Sequence, residues 1–316
     1  MLFVALFALV GCRSPPAADP AANVALPPTN GVFDYQLGGT SDQLSDGTPI
    51  DVVVRDASAA PLEGAYNVCY VNGFQAQPGS DWSDHPEALL RDGSGSPVRD
   101  PDWPDELILD PSTASARASI LEVITPVIGG CAEAGFDAIE IDNLDTWTRF
   151  DTISKDGALD LASAYVTAAH DLGLAVAQKN AAEAARPAHD DLGFDFAVVE
   201  ECGAYSECAA YTDVYGGHVL QIEYPDSLAE ADLSFTDVCA DPARAPLTIL
   251  RDRDLVGQND PAYVHEACLT ARDATPSQAK ADVVSWTHGD QPRHLRQILG
   301  RAGLPHRLLK CGLLSL

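Results

Sequence analysis

The sequence predicts an α/β fold in the form of a single-domain (β/α)8 (TIM) barrel. Eight short apolar runs recur along the 316 residues, and several are rich in β-branched residues, as are strands buried on both faces of a parallel sheet. Segments of helical length separate some of these runs. Repetition of strand, helix and strand to a total of eight strands is typical of this barrel.

The eight predicted strands each end on polar or charged residues. In chain order they are residues 33–37 (FDYQL), 51–56 (DVVVRD), 66–72 (YNVCYVN), 137–143 (DAIEIDN), 174–180 (LAVAQKN), 195–201 (DFAVVEE), 218–224 (HVLQIEY) and 246–252 (PLTILRD). Helices are predicted before the fourth, fifth and sixth strands, over residues 116–134, 157–172 and 181–192. The first connection is too short for a full helix, whereas residues 73–113 form a long loop rich in Asp, Pro, Gly and Trp.

The N-terminal residues predict export. The apolar run over residues 2–10 is shorter than the ~20 residues that span a bilayer, and it is typical of a signal peptide over residues 1–11. Residues 9–12 (LVGC) resemble the lipobox of bacterial lipoproteins, in which the cysteine is acylated after cleavage. Cys12 is therefore the predicted lipidation site; an ordinary signal peptide with an incidental cysteine is the alternative.

The domain organisation follows from this leader. Residues 12–29 are a Pro- and Ala-rich tether, and the barrel occupies residues 30–268. Residues 269–316 are a basic tail, either a C-terminal helix that closes the barrel or the product of a shifted reading frame. We expect a monomer that is lipid-anchored to the bacterial cell envelope or surface and contacts the membrane only through that anchor.

The charge distribution argues against a nucleic-acid partner. Of 47 Asp and Glu and 19 Lys and Arg residues, residues 269–316 hold 3 and 7, so the first 268 residues carry a net charge of −32. Such a surface repels nucleic acid and anionic polymers and favours cationic ones. A solvated surface that serves solubility alone is the alternative interpretation.

The eight cysteines predict disulfides, because the chain is expected to be exported. With Cys12 lipidated, seven remain, so at least one is unpaired within the chain, and spacing does not fix the connectivity.

No metal or other cofactor is expected. There is no CxxC pair for zinc, residues 142–145 (DNLD) lack the ligand spacing of an EF-hand, and neither a GxSxG elbow nor a nucleotide-binding glycine loop is present.

Two acidic strand ends supply the candidate chemistry. The C-terminal ends of the strands form the active site in this fold, and Asp142 and Glu200 end the fourth and sixth strands. A carboxylate pair is the minimum for glycosidic cleavage, because one group protonates the leaving oxygen while the other attacks the anomeric carbon or activates water. Asn143 would help to keep Asp142 ionised, and the apolar residues 196–199 favour a protonated Glu200. Asp142 is therefore the predicted nucleophile and Glu200 the predicted acid/base.

Other polar residues near the strand ends are predicted to contact substrate. Alternation along the fourth strand places Glu140 one layer below Asp142, where it would pair with Lys179. In the loops, Trp82 and Trp103 could stack on sugar rings or simply pack. The strand ends and the loop after the fourth strand contribute Asp56, Asn72, Asn143, Asp145, Trp147, Lys179, Asn180, Glu223 and Asp252.

The chain resembles glycoside hydrolase family 114. The resemblance lies in residues 30–255, in the segments FDYQLGG, YNVCYVNG, GFDAIEIDNLDTW, AHDLGLAVAQKN, FDFAVVEECGAYSEC, the IEY of VLQIEY and ILRDRDL. Members are endo-α-1,4-polygalactosaminidases or their relatives, with a (β/α)8 barrel. The resemblance implies that Asp142 and Glu200 are the catalytic carboxylates. Tyr35 and Tyr224 lie in the resembling segments and are also expected to bind substrate, as is Glu201, which stands where relatives often have Gln.

Together the residues and the resemblance predict an endo-acting glycoside hydrolase of an α-1,4-linked galactosamine-type polysaccharide, working with retention. The predicted partner is thus a cationic amino-sugar polymer, with which an acidic surface is compatible. Two alternatives remain open at this point. One is a carbohydrate-binding surface lipoprotein without turnover, and the other is a glycosidase of a different α-linked glycan.

Overall fold

Eight parallel strands form the barrel in the computed structural model, which describes residues 24–268. They are β1 (Phe33–Gln36), β2 (Val52–Asp56), β3 (Tyr66–Asn72), β4 (Ala138–Asp142), β5 (Ala175–Lys179), β6 (Phe196–Glu200), β7 (Val219–Glu223) and β8 (Leu247–Arg251). Each pairs in parallel with the next along the chain. All eight predicted strands are confirmed. A ninth strand that was not predicted, β9 (His265–Ala267), pairs antiparallel with β8.

The barrel is nearly closed rather than fully hydrogen-bonded. Within residues 24–268 no strand ladder joins β8 to β1, and side chains bridge this seam instead. Arg251 donates to Asp34 Oδ1 at 2.8 Å and to the Tyr35 carbonyl, and both charged side chains are 1% exposed. Burial of an ion pair is tolerated only when its remaining donors are satisfied. Arg251 meets that condition by donating also to the Val256 and Val264 carbonyls.

Helices pack mainly outside the strands from β3 onward. They are α1 (Ala114–Ala134), α2 (Thr146–Arg149), α3 (Lys155–Asp171), α4 (Ala185–Pro187), α5 (Cys208–Tyr215), α6 (Pro225–Glu230) and α7 (Phe235–Ala240). A 3-10 turn (Ala182–Ala184), α4 and a π-helical turn (Ala188–Leu192) follow one another without a break. The three predicted helices correspond to α1, α3 and this connection. Among residues 24–268 no helix has the length and apolar character needed to cross a membrane.

The boundaries of the two long helices follow from their capping residues. The Thr113 side chain accepts a hydrogen bond from the Ala116 amide at the start of α1, and the Ser154 side chain accepts one from Gly157 at the start of α3. Gly135 ends α1 at φ 94°, a conformation that glycine adopts without steric cost.

Strand alternation separates two apolar cores. One face of β4 contributes Ile139 and Ile141 to the layer between the sheet and the helices. The other face points into the barrel, where Ala138 packs with residues such as Val68 and Val198. Because successive side chains in a strand face opposite ways, Glu140 and Asp142 share the inward face with Ala138. The same parity places the strand-end residues Lys179 and Glu200 on the inward faces of β5 and β6.

Three disulfides brace the described chain. They join Cys69 to Cys131, Cys202 to Cys208, and Cys239 to Cys268. The prediction of disulfides is confirmed for these six residues, while Cys12 and Cys311 lie outside the described residues. The signal peptide, most of the tether and the basic tail also lie outside them.

The long loop after β3 has its own small framework. Its short strands Gln75–Ala76 and Leu107–Ile108 pair antiparallel, and a 3-10 turn spans Pro86–Ala88. This framework folds the loop over the C-terminal ends of β3 and β4, where it forms one wall of the cavity described next.

Candidate active site

A cavity of about 350 Å³ opens at the C-terminal ends of the barrel strands. The strands supply its floor, and the loops after β3 and β8 supply parts of its wall. The polar and aromatic side chains that line it are Tyr35, Asp56, Tyr70, Gln77, Trp103, Glu106, Asn143, Lys179, Glu200, Glu201, Tyr224, Arg253 and Asp254.

Asp142 ends β4 beside this cavity and is surrounded by donors. The Tyr70 hydroxyl donates to Asp142 Oδ2 at 2.7 Å, and the Asn143 side-chain amide lies 3.4 Å from the same oxygen. Lys179 Nζ lies 3.3 Å from Oδ1. Burial works to raise the pKa of Asp142, but Lys179, the Tyr70 hydroxyl and the Asn143 backbone amide outweigh it and hold the pKa below its ordinary value. The carboxylate is therefore kept ionised, as a nucleophile must be.

Glu200 ends β6 and is held by three neighbours. Asn180 Nδ2 donates to Glu200 Oε2 at 3.1 Å, while the Glu200 amide donates to Asn180 Oδ1 at 2.8 Å. The Tyr224 hydroxyl donates to Oε1, and Lys179 Nζ lies 3.2 Å from Oε2. These partners lie at or just after the ends of the neighbouring strands β5 and β7, and the acid/base role of Glu200 stays a prediction.

Lys179 bridges the two carboxylates. Its Nζ lies 3.3 Å from Asp142 Oδ1 and 3.2 Å from Glu200 Oε2, so these two oxygens are at most 6.5 Å apart. Glycosidases of both stereochemical classes use two carboxyl groups within about 10 Å of each other. The lysine therefore holds Asp142 and Glu200 close enough for both to act on one glycosidic bond.

Beneath the pair lies a fully buried ionic layer. Lys179 Nζ donates to Glu140 Oε1 at 2.8 Å and to the Tyr35 hydroxyl at 3.0 Å, and that hydroxyl donates to the same Glu140 oxygen at 2.7 Å. The predicted Glu140–Lys179 pair is confirmed. Burial raises the pKa of Glu140 to about 7 against the opposing charge of Lys179. Burial tends to lower the pKa of Lys179, but the three carboxylates around it outweigh that effect and raise it.

The chain turns sharply after three successive strands. Asn143, Asn180 and Glu201 follow β4, β5 and β6, and each has a positive φ, of 64°, 47° and 63°. A non-glycine residue in this region costs free energy, although Asn tolerates it better than most. These turns bring the Asn143 amide to Asp142 and the Asn180 amide to Glu200, so the backbone strain coincides with the proposed catalytic pair.

Several predicted substrate contacts do line the cavity. Tyr35, Asn143, Lys179, Glu201 and Tyr224 are there, as is Asp56, whose carboxylate also accepts a hydrogen bond from the Ser58 amide. Two further predicted residues support the cavity from behind. These are Asn180, through Glu200, and Asn72, which is 4% exposed and donates to Glu106.

Glu223 and Asp252 do not reach the cavity, which corrects their prediction as substrate contacts. In β7 the residues Leu220 and Ile222 face the barrel interior, so parity turns Glu223 outward. It is fully buried there and accepts hydrogen bonds from the Gly203 amide and the Gln221 side chain.

The contacts of Glu223 and Asp252 indicate structural roles. Glu223 and the disulfide Cys202–Cys208 form the one three-residue cluster within residues 24–268 whose atoms are close enough to hold a metal. The two sulfurs are, however, bonded to each other. Asp252 accepts hydrogen bonds from the amides of Val256 and Val264 and so fixes the loop between β8 and β9.

Asp145 and Trp147 differ from their predicted role, and for Trp82 packing was the correct one of the two alternatives. Asp145 lies at the N-cap of α2, and Trp147 packs against the helical layer with Lys155 Nζ 5.5 Å from its ring centroid. Trp82 is only 5% exposed and belongs to the core. None of the three lines the cavity.

Five polar residues of the cavity were not predicted from the sequence: Tyr70, Gln77, Glu106, Arg253 and Asp254. Tyr70 could have been found by alternation, because it precedes Asn72 by two positions on the inward face of β3. Glu106 and Arg253 lie on loops and gave no such signal. Arg253 pairs with Glu201 at 2.6 Å and with Asp226 at 2.5 Å, and its guanidinium lies 4.6 Å from the Tyr224 ring centroid.

A (β/α)8 barrel with a carboxylate pair at the C-terminal mouth of its strands defines the class of (β/α)8 glycoside hydrolases. The family model of glycoside-hydrolase family GH114 matches residues 13–272. The chain therefore belongs to this family and is a glycoside hydrolase, and the resemblance noted in the sequence is confirmed.

Solved structures share the fold. Ega3 from Aspergillus fumigatus, in complex with galactosamine, superposes with a TM-score of 0.61 at 19% identity, covering 78% of this chain and 99% of that one. The glycoside hydrolase domain of PelA from Pseudomonas aeruginosa gives a TM-score of 0.51 at 14% identity, with coverages of 74% and 96%. A comparison with curated protein sequences gives no match.

Proposed function

We propose that this glycoside hydrolase cleaves an α-1,4-linked galactosamine-type polysaccharide internally, with Asp142 as nucleophile and Glu200 as acid/base. The observation that carries this proposal is a carboxylate pair, bridged by one lysine, beside a cavity whose wall holds further carboxylates that form no ion pair within residues 24–268. The family resemblance in the sequence supplies the α-1,4 linkage and the internal mode of cleavage.

The charge balance of the cavity favours a cationic substrate. Its two basic side chains are both engaged, Lys179 with three carboxylates and Arg253 with two. Asp56, Glu106 and Asp254 also line the cavity, and none of them forms an ion pair within residues 24–268. An excess of acidic groups in a concave site attracts positive ligands. An amino sugar such as the galactosamine bound to Ega3 has the required charge.

The environment of Asp142, which is held ionised, suits the nucleophile, and the second carboxylate of the pair, Glu200, is left as the acid/base. Asp142, held ionised, attacks the anomeric carbon while Glu200 gives a proton to the leaving oxygen, which forms a glycosyl ester on Asp142. Glu200 then takes a proton from water, the resulting hydroxide attacks the anomeric carbon, and Asp142 is released. The donors that hold Asp142 ionised beside the cavity support this route, in which Asp142 itself attacks.

A panel of polymers tests the substrate class. The purified protein is incubated with α-1,4-linked polygalactosamine, its N-acetylated form and a neutral α-galactan, and the products are separated by mass. We expect oligosaccharides of several lengths from polygalactosamine, as internal cleavage requires. Cleavage of the neutral galactan alone would instead favour a different α-linked glycan, and binding of polygalactosamine without any product would favour a carbohydrate-binding protein.

The stereochemistry is tested on the same reaction. Proton NMR in the first minutes, before mutarotation, should show the α-anomer at the new reducing end. Early release of the β-anomer would contradict a covalent intermediate on Asp142.

We also infer that the protein is exported and anchored through Cys12, with residues 12–29 as a tether to the barrel. Three disulfides in the described chain support an oxidising compartment. Metabolic labelling with a fatty-acid analogue in the bacterial host should mark the wild-type protein but not the C12S variant. Equal labelling of both proteins would contradict this assignment.

A further inference from the structure

Glu106 is a carboxylate that lines the cavity and lies outside the proposed catalytic pair. It lies in the long loop immediately before the short strand Leu107–Ile108, and it is partly buried. Asn72 Nδ2 donates to Glu106 Oε2 at 3.0 Å. Its other oxygen, Oε1, accepts no hydrogen bond from any group within residues 24–268. One oxygen is thus fixed to the protein while the other remains available to a ligand.

The position of Glu106 is fixed through Asn72. The Asn72 oxygen accepts hydrogen bonds from the Gln75 amide at 3.0 Å and from Asn143 Nδ2 at 3.2 Å. Because its oxygen is engaged in this way, the Asn72 amino group is directed at Glu106. Asn143 in turn contacts Asp142. This chain of contacts from Glu106 to Asp142 places Glu106 on the Asp142 side of the cavity.

The electrostatic environment of Glu106 favours a bound cation. Burial, followed by the charge of Asp142, raises the pKa of Glu106 to about 7, with the Asn72 hydrogen bond opposing the shift. The charge of Arg149 also opposes this rise in pKa, but its guanidinium is engaged by Asp100 at 2.6 Å and by Asn143 at 2.8 Å. A cation bound to Glu106 would therefore offset both the cost of burying its negative charge and the repulsion from Asp142.

An exposed aromatic ring stands beside this carboxylate. The Glu106 amide donates to the Trp103 carbonyl at 2.9 Å, so both residues belong to one turn, and both side chains line the cavity. Trp103 is 56% exposed, the second most exposed large apolar side chain among residues 24–268. A flat apolar face next to a carboxylate matches a sugar ring that carries an ammonium group.

We propose that Glu106 is a specificity-determining residue that accepts a hydrogen bond from the ammonium group of an amino sugar bound next to Asp142, with the sugar ring against Trp103. This assignment deepens the proposed function and rests on it. According to this assignment, the loop recognises the free amine of the sugar rather than its galactose configuration.

The test compares charged and neutral ligands on wild type and E106Q. The glutamine keeps an oxygen acceptor for Asn72 and removes only the charge. Binding of galactosamine and of galactose is measured by calorimetry at pH 7, and kcat/KM is measured on polygalactosamine. For E106Q we expect galactosamine affinity and kcat/KM each to fall roughly 10- to 100-fold, the range for a hydrogen bond between charged groups. Galactose affinity should stay as in wild type.

The matched control is D105N. Asp105 is an exposed neighbour that does not line this cavity, so the variant loses the same charge one residue away and should behave as wild type. If D105N loses as much affinity as E106Q, the effect is one of general charge and the assignment is overturned.

The two ligands separate recognition from structural damage. Equal weakening of galactosamine and galactose binding in E106Q would assign Glu106 a structural role only, and unchanged galactosamine binding would also overturn the proposal. The proposed function fails separately, if wild type leaves polygalactosamine intact. If wild type then also binds galactosamine no better than galactose, the Glu106 assignment fails with it.

Discussion

The two sides of the cavity are held by different kinds of contact. The strand-end floor (Asp142, Lys179 and Glu200) is built from inward residues of β4, β5 and β6, and its lysine is 2% exposed. The loop wall (Trp103 and Glu106) is built from a long connection, with Trp103 exposed and Glu106 partly buried. Strands fix the position of reacting groups through a rigid ladder, whereas a loop can change its side chains at little cost to the fold. This difference assigns reaction to the floor and selection of substrate to the wall.

The wall is nevertheless anchored at one point. Asp100 is 1% exposed, and its Oδ2 accepts hydrogen bonds from Gln75 at 2.7 Å and Arg149 at 2.6 Å. Its Oδ1 accepts hydrogen bonds from the amides of Asp102 and Trp103 at 2.9 and 3.2 Å. A single buried carboxylate therefore ties the turn that carries Trp103 to the rim of the barrel.

The largest effect is expected on the floor. The variants D142N and E200Q should each lower kcat on polygalactosamine by on the order of 10⁴-fold or more, as expected when one member of a catalytic unit is removed. Both should bind galactosamine with near wild-type affinity, because the wall is intact. Steady-state kinetics and calorimetry measure the two quantities, and E266Q, on the exposed face of β9, serves as the control for loss of a carboxylate.

Removal of Lys179 should affect both folding and reaction. In K179M the carboxylates of Glu140, Asp142 and Glu200 lose their shared cation, which should lower the free energy of unfolding by about 3–5 kcal/mol. Urea denaturation measures this change. The double variant E140Q/K179M, which also removes the deepest negative charge, should recover part of the loss. A K179M protein as stable as wild type would show that the buried ionic layer does not hold the floor together.

Loss of the Tyr70 hydroxyl should have an intermediate effect. Y70F removes the donor 2.7 Å from Asp142 Oδ2, and a hydrogen bond to a charged group contributes about 1.5–3 kcal/mol. We expect kcat to fall by the corresponding roughly 10- to 100-fold. The hydroxyl helps to lower the pKa of Asp142, so its loss should move the acid limb of the kcat/KM profile to higher pH.

Y66F is the matched control for that variant, since the Tyr66 hydroxyl donates to the Ala25 carbonyl away from the cavity. Identical pH profiles for wild type and Y70F would mean that Asp142 is not the group that must be ionised.

The smallest effect is expected at the anchor of the wall. D100N weakens the contacts with Gln75 and Arg149, so the turn with Trp103 and Glu106 should be less well positioned. We expect KM on polygalactosamine to rise about 10-fold with little change in kcat, because binding rather than chemistry is affected. D102N, an exposed neighbour, should match wild type. A D100N variant with unchanged KM and a large loss of kcat would contradict the assignment of substrate binding to the wall and of reaction to the floor.

The same division separates what the sequence could predict from what it could not. The floor follows from strand alternation, which places Glu140 and Asp142 on one face and predicts the pair between Glu140 and Lys179, observed at 2.8 Å. The error at Glu223 arose because a polar strand end was accepted without its parity, and parity within β7 would have excluded it. Asp252 follows β8, as Asn143 and Glu201 follow β4 and β6, so strand alternation does not decide its position.

The wall could not be derived in this way. Glu106 reaches the cavity only because Asn72 and the Asp100 contacts fold a long loop over the strand ends. These contacts join residues that are far apart in sequence and follow no fixed period. β9 was missed for a related reason, since three residues of mixed polarity carry no strand signal.

The most direct test of the account is to identify the residue that becomes covalently linked to the sugar. An α-galactosaminyl oligosaccharide fluoride can react without an acid, because fluoride leaves without protonation. In E200Q the breakdown of the intermediate should be slow, because the base for water is missing. We predict that the intact mass of E200Q rises by the mass of one oligosaccharyl group. Peptide mapping should place this group on Asp142, and D142N/E200Q should show no adduct. An adduct on any other carboxylate, or fluoride release with an inverted product and no adduct, would contradict the account.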